Sequence, residues 1–110
     1  MKLINCTPHA LNIHHVDGIL ELAPSGILPR LAVSREFRDP IYGPDGEVIT
    51  VVRSSLGAIT DLPDQQDGVI LITSALVADA AKRSDVMSPG ELVRDGKGVI
   101  IGCLGLCTFV

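Results

Sequence analysis

Aromatic side chains are nearly absent. Phe37, Tyr42 and Phe109 are the only three in 110 residues, and there is no tryptophan. So small a set excludes a base-stacking platform for single-stranded nucleic acid. Positive charge is also in deficit: nine Lys and Arg stand against thirteen Asp and Glu, a net charge of −4. With a pI of about 5.1, that balance argues against a nucleic-acid polymer as partner. The cysteines number three, an odd count, which argues against a disulfide framework. Cys103 and Cys107 lie in an apolar run and read as small hydrophobes. The longest such run, residues 99–110, falls short of the roughly 20 residues a membrane-spanning helix needs. The start, Met1-Lys2-Leu3-Ile4-Asn5-Cys6, lacks the apolar core of a signal peptide. These absences predict a single domain over residues 1–110, cytosolic and without a membrane partner.

What is present is mostly apolar. Hydrophobic residues make up 46% of the chain, and the mean hydropathy of +0.39 is high for so short a protein. A domain of this size buries only about two-thirds of its unfolded surface. Surplus apolar surface therefore predicts contacts between subunits, a homo-oligomer.

The chain is organised around residues 69–83. Val69-Ile70-Leu71-Ile72 reads as a strand buried on both faces. Ser74 is a good N-cap for the alanine-rich segment 75–83. Asp79 stands four residues before Arg83, the favoured order for an ion pair along a helix. A helix this short is marginal by itself and must lie on apolar surface.

Around this unit the sequence predicts short strands. Residues 2–6 form a first strand, interrupted by Thr7-Pro8-His9 because proline lacks a ladder donor. Residues 10–15 and 19–22 form a hairpin about Asp17-Gly18. Residues 27–33, broken by Pro29 and Arg30, suit an edge strand, and residues 34–40 read as extended or irregular. Gly43-Pro44-Asp45-Gly46 is a turn, residues 47–53 a strand, and Ser54-Ser55-Leu56-Gly57 its break. Residues 61–68 and 84–90 read as loops. Residues 91–94 and 99–103 close the chain as a hairpin, whose last strand is apolar on both faces and needs cover on both. The predicted fold class is α+β: a mostly antiparallel rolled sheet or small barrel-like sandwich with one short helix.

Few residues carry chemistry. Cys6 and His9 are close enough to suggest a thiol–imidazole pair, but there is no nucleophile elbow and Cys6 follows apolar residues. A small hydrolase is the distant alternative, and no catalytic residue is assigned. His14 and His15 are strand neighbours that point to opposite faces, and the histidine spacing matches no zinc pattern. No metal and no cofactor are expected. Neither a Walker nor a dinucleotide glycine pattern occurs. Six of the nine basic residues are arginine, the side chain that grips phosphate or carboxylate at two points. Ser74, at a helix start, is both an ordinary cap and a ready position for an anion. Arg30 and Arg94 read either as snorkelling edge residues or, if they converge with Ser74 and Thr7-Pro8-His9, as a pocket for a phosphorylated or carboxylated ligand.

Several stretches together carry a resemblance. Ile4-Asn5-Cys6-Thr7-Pro8-His9-Ala10, Pro24-Ser25-Gly26 with Arg30 nearby, Ser74-Ala75-Leu76-Val77-Ala78, Val93-Arg94-Asp95 and Ile101-Gly102-Cys103 stand in the order found in a group of small phage, prophage and actinobacterial proteins with an "NLTPH"-type start. Leucine is usual there at the position of Cys6. The group is similar to phage anti-CBASS sponge proteins, which bind cyclic nucleotide immune signals without cleaving them. The resemblance spans residues 4–103. It implies a non-catalytic protein of immune evasion, acting in the host cytosol, with Thr7, His9, Arg30, Ser74 and Arg94 against a small anionic ligand such as a cyclic nucleotide. The alternative is a structural or accessory phage protein that only self-associates.

Overall fold

A computed structural model describes residues Met1–Val110. Eight strands and one helix follow in the order β1 (Lys2–Asn5), β2 (Leu11–His15), β3 (Gly18–Leu22), β4 (Arg30–Tyr42), β5 (Val48–Thr60), β6 (Val69–Ile72), α1 (Ala75–Ala81), β7 (Val86–Arg94) and β8 (Ile100–Cys107). Six strands make one sheet in the order β1-β6-β7-β8-β2-β3, and β4 and β5 pair only with each other. The molecule is thus mostly β with one short helix, and its larger sheet rolls into a nearly closed barrel.

The rolling is visible at the sheet's two edges. Asn5, ending β1, donates from Nδ2 to the Leu22 carbonyl at the end of β3, 3.0 Å away. Ser25 returns the favour, its backbone N–H and hydroxyl both reaching the Asn5 carbonyl at 2.9 and 2.7 Å. The edge strands are clasped by one asparagine rather than by a ladder. Asn5 is 2% exposed, and its amide is fully used: Nδ2 also donates to the His9 carbonyl, while Oδ1 accepts from the Thr7 backbone. A buried amide with every partner present holds its position without the cost of an unpaired polar group.

Strand β6 is buried on both faces, as its apolar run requires. Leu71 packs with Cys6, Val86 and Ala78 of the helix. Ile72, on the opposite face, packs with Ile13 and Cys103 inside the barrel. The helix bridges β6 to its parallel neighbour β7, a connection that two parallel strands demand. Ser74 caps it, its Oγ accepting the Val77 N–H.

The helix ends at Ala81, two residues short of the expected stop. Lys82 turns left-handed at φ 51° and closes it. Arg83 therefore lies outside the helix, and the expected Asp79–Arg83 pair does not form. Asp79 pairs with Lys82. Arg83 instead grips Asp85 at two points, 2.9 and 2.6 Å, and donates to the Pro63 carbonyl at 3.1 Å. Asp85 is buried, and its carboxylate holds the Arg83 guanidinium above the usual arginine value.

Three expectations are corrected. Residues 86–90, read as loop, are the first half of β7, with Ser88 paired to Cys107 and Pro89 to Leu106. Pro89 lies past the last β6 pair, Ile72 with Met87, where that side of β7 has no ladder for a missing N–H to break. Strand β8 is not covered on both faces: Cys103 is buried in the core, whereas Ile100 and Leu104 remain open on its surface. Finally, residues 34–40 are extended rather than irregular, and residues 54–57 do not break their strand. Both belong to an unusually long hairpin of thirteen residues per strand. Register shifts near residues 31–33 and 38–41 absorb Gly57 and Pro40 as bulges.

That hairpin stands away from the barrel. The radius of gyration is 18.4 Å, against about 13 Å for an ordinary globular chain of this length. The longest dimension is 59 Å. No helix is long and apolar enough to cross a membrane.

Candidate functional site

The residues just past β1 cannot continue the ladder, because Pro8 has no N–H to donate. The chain turns there, and the turn is held from inside: the Thr7 hydroxyl lies 2.6 Å from Asn5 Oδ1 and 3.0 Å from the His9 carbonyl. Beside this turn runs the linker into β4, and across from it lies the start of α1. The three segments enclose a cleft of about 200 Å³. Cys6, Thr7 and Pro8 form one wall, Leu28 and Pro29 a second; Arg30 and Ser74 complete the lining.

Arg30 is the only charged residue there, and no carboxylate lies within ion-pair distance of it. An unpaired guanidinium against apolar walls favours an anion and offers a two-point donor for phosphate or carboxylate. Ser74 adds a second donor. Because its Oγ accepts the Val77 N–H, its own hydroxyl proton is left to point outward. Thr7 adds less: both oxygens near its hydroxyl are acceptors, so its proton is spent within the turn.

Of the five residues singled out from the sequence, Thr7, Arg30 and Ser74 meet at this cleft. His9 and Arg94 do not line it. His9 is exposed, and its backbone carbonyl, rather than its ring, serves the turn by accepting from Asn5. Arg94 ends β7 and donates to the Gly98 carbonyl at 3.0 Å within the β7–β8 turn. The arginine bias is likewise not one pocket. Arg35, Arg38 and Arg53 lie on the long hairpin, and Arg83 is engaged by Asp85.

Leu28 and Pro29 join the site as well: Pro29, read from the sequence only as a strand breaker, makes with Leu28 an X-Pro pair that constrains the approach to Arg30. Asn5 was passed over as one residue of an apolar strand. Its signal is a lone amide two residues before Thr7-Pro8, a place where polar side chains organise turns.

Cys6 also lines the cleft. Burial pushes its thiol above the ordinary value, and a hydrogen bond from Ser25 only partly opposes this. Nucleophilic cysteines need the reverse shift, so the Cys6 environment is unsuited to thiolate chemistry.

A second, larger hollow of about 460 Å³ opens at the barrel mouth, where β2 and β8 meet over only two residue pairs. Its walls include Leu11, Leu92, Ile101 and Cys103, without a charged residue. The close approach of β2 and β8 depends on Gly102: a Cβ there would collide with the Asn12 carbonyl and the His14 ring.

Comparison with protein-family models, with curated proteins and with solved structures found no match to this chain.

Proposed function

We propose that the protein is a non-catalytic binding module that sequesters a small anionic ligand at the Arg30 cleft. The observation that carries this reading is an exposed arginine without a carboxylate partner, set beside a serine hydroxyl and apolar walls in one concavity. The cleft is smaller than the roughly 300–1,000 Å³ of sites that enclose a drug-sized ligand. It fits one phosphoryl or carboxylate group and part of its carrier, with the rest of the molecule lying outside. The phage resemblance makes a cyclic nucleotide immune signal the leading candidate, held in the host cytosol and released intact.

Calorimetric titration with a panel of cyclic di- and trinucleotides, and with inorganic phosphate, tests the reading. A saturable heat is expected for at least one cyclic nucleotide. Arg30→Ala weakens it by about tenfold or more, the worth of a charged hydrogen bond, while Arg94→Ala leaves it unchanged. Chromatography then recovers the ligand uncleaved. Flat titrations with folded protein remove the proposal, as does equal weakening by both substitutions.

A further inference from the structure

One face of the long hairpin is more apolar than the other. Cross-strand partners share a face, so the register places Leu31 with Ile59, Val33 with Leu56, and Phe37 with Val52 on one side, with Arg35 and Ser54 between the last two pairs. Beyond the bulge at residues 38–41, Val48 keeps the alternation of Val52 and brings Tyr42 with it. The opposite face carries Ser34 with Ser55, Glu36 with Arg53 and Arg38 with Val51, and turns apolar only at the tip, where Ile41 pairs with Ile49. Nothing covers the apolar stripe: Phe37 is 79% exposed, and Val33 and Leu56 are each more than half exposed. No other element reaches it, since the hairpin touches the rest of the fold only near its base at α1.

Such an arm is physically incomplete. A two-stranded hairpin is marginal in water unless a third layer covers its apolar face. The charge pattern of the arm indicates what that layer is. Arg35 and Asp39 stand two residues to either side of Phe37; Arg35 shares its face, and Asp39 lies exposed in the bulge without a cross-strand partner. A two-fold axis through Phe37 sets each Arg35 opposite the Asp39 of a second copy. The area agrees: thirteen residues at about 3.3 Å each, on a ribbon about 12 Å wide, give ~500 Å² per copy. Two copies then bury ~1,000 Å², the lower bound for a specific interface.

We infer that the β4–β5 arm is a dimerisation element, its apolar stripe stacked antiparallel on the same stripe of a second copy of this chain. The contact is isologous and closed, which limits assembly to the pair. It stands independently of ligand binding at the Arg30 cleft.

Light scattering coupled to size exclusion, across a dilution series of the full chain, tests this. The wild type is expected at twice the 11.6 kDa of one chain. Phe37→Asp is expected to halve that mass, while Ser34→Asp on the opposite face leaves it unchanged, and thermal melts confirm that both variants keep a folded barrel. Arg35→Asp weakens the dimer about tenfold, and adding Asp39→Arg restores it. A monomeric wild type, an assembly larger than two, a dimer that survives Phe37→Asp, or a charge swap without rescue overturns the inference.

Discussion

Asn5 and Cys6 are neighbours with opposite tasks. The side chain of Asn5 is wholly occupied in joining segments, whereas Cys6 contributes only bulk and a proton it does not readily lose. The elevated Cys6 thiol carries a consequence for stability. The unfolded thiol ionises near its ordinary value of 9.0, while the folded one resists. Its contribution is therefore complete below about pH 9 and is lost as pH rises toward the folded value. Urea denaturation of wild type and Cys6→Ala across pH 7–11 checks this: the stability gap between them is constant to about pH 9 and narrows above it. At the same scale, Arg30 shares its lack of a carboxylate partner with Arg35 and Arg53 on the arm, and differs from them in lining a cleft. Arg83 has a buried carboxylate and Arg94 a backbone carbonyl; Arg30 has neither.

Among the elements, β1 and β3 are the least self-sufficient. Each is short, each is an edge, and an edge strand of four or five residues has little ladder to hold it. The Asn5 clasp does that work with hydrogen bonds to the Leu22 and His9 carbonyls and the Thr7 backbone. Asn5→Ala strands those groups in a buried site. It is expected to cost ~3 kcal/mol, the range for losing a buried hydrogen-bond network, read as a drop in the urea midpoint. Because the clasp also shapes the Thr7 turn, the substitution is expected to open the cleft and weaken ligand binding with it. The β6–α1–β7 unit is the contrast. Its strand is covered on both faces and its helix is capped at both ends, so hydrogen exchange is expected to be slowest there.

At the scale of the whole molecule, barrel and arm are nearly separate objects. The barrel holds every buried residue of both core clusters, and the arm contributes none. Replacing residues 33–56 by a short Gly-Ser turn is therefore expected to leave the barrel folded, with a melting temperature within about 5 °C of the parent at dilutions where the dimer has dissociated. Circular dichroism measures it. A collapse of the melting transition would show that the arm stabilises its own barrel. Retained binding at the Arg30 cleft in the same variant would show that ligand and dimer are independent.

Local chemistry was legible from the residues alone. The Ser74 cap and the Asp17-Gly18 hairpin rest on contacts between near neighbours, and the apolar run of β6 and the pattern of elements report burial and fold class without naming the partners. The long arm was not legible, because an exposed ribbon has a polar face that resembles irregular chain, and its bulges hide Pro40 and Gly57 where a regular strand would stop. Nor was the cleft: Thr7, Arg30 and Ser74 are brought together by the closing of the sheet, while His9 and Arg94, equally good candidates by residue type, fall outside it. The three parallel pairings, β1 with β6, β6 with β7, and β2 with β8, join segments far apart in the chain. Propensity acts over a few residues, so it decided which segments are strands; only burial across the whole chain decided which strands meet and which side chains share a hollow.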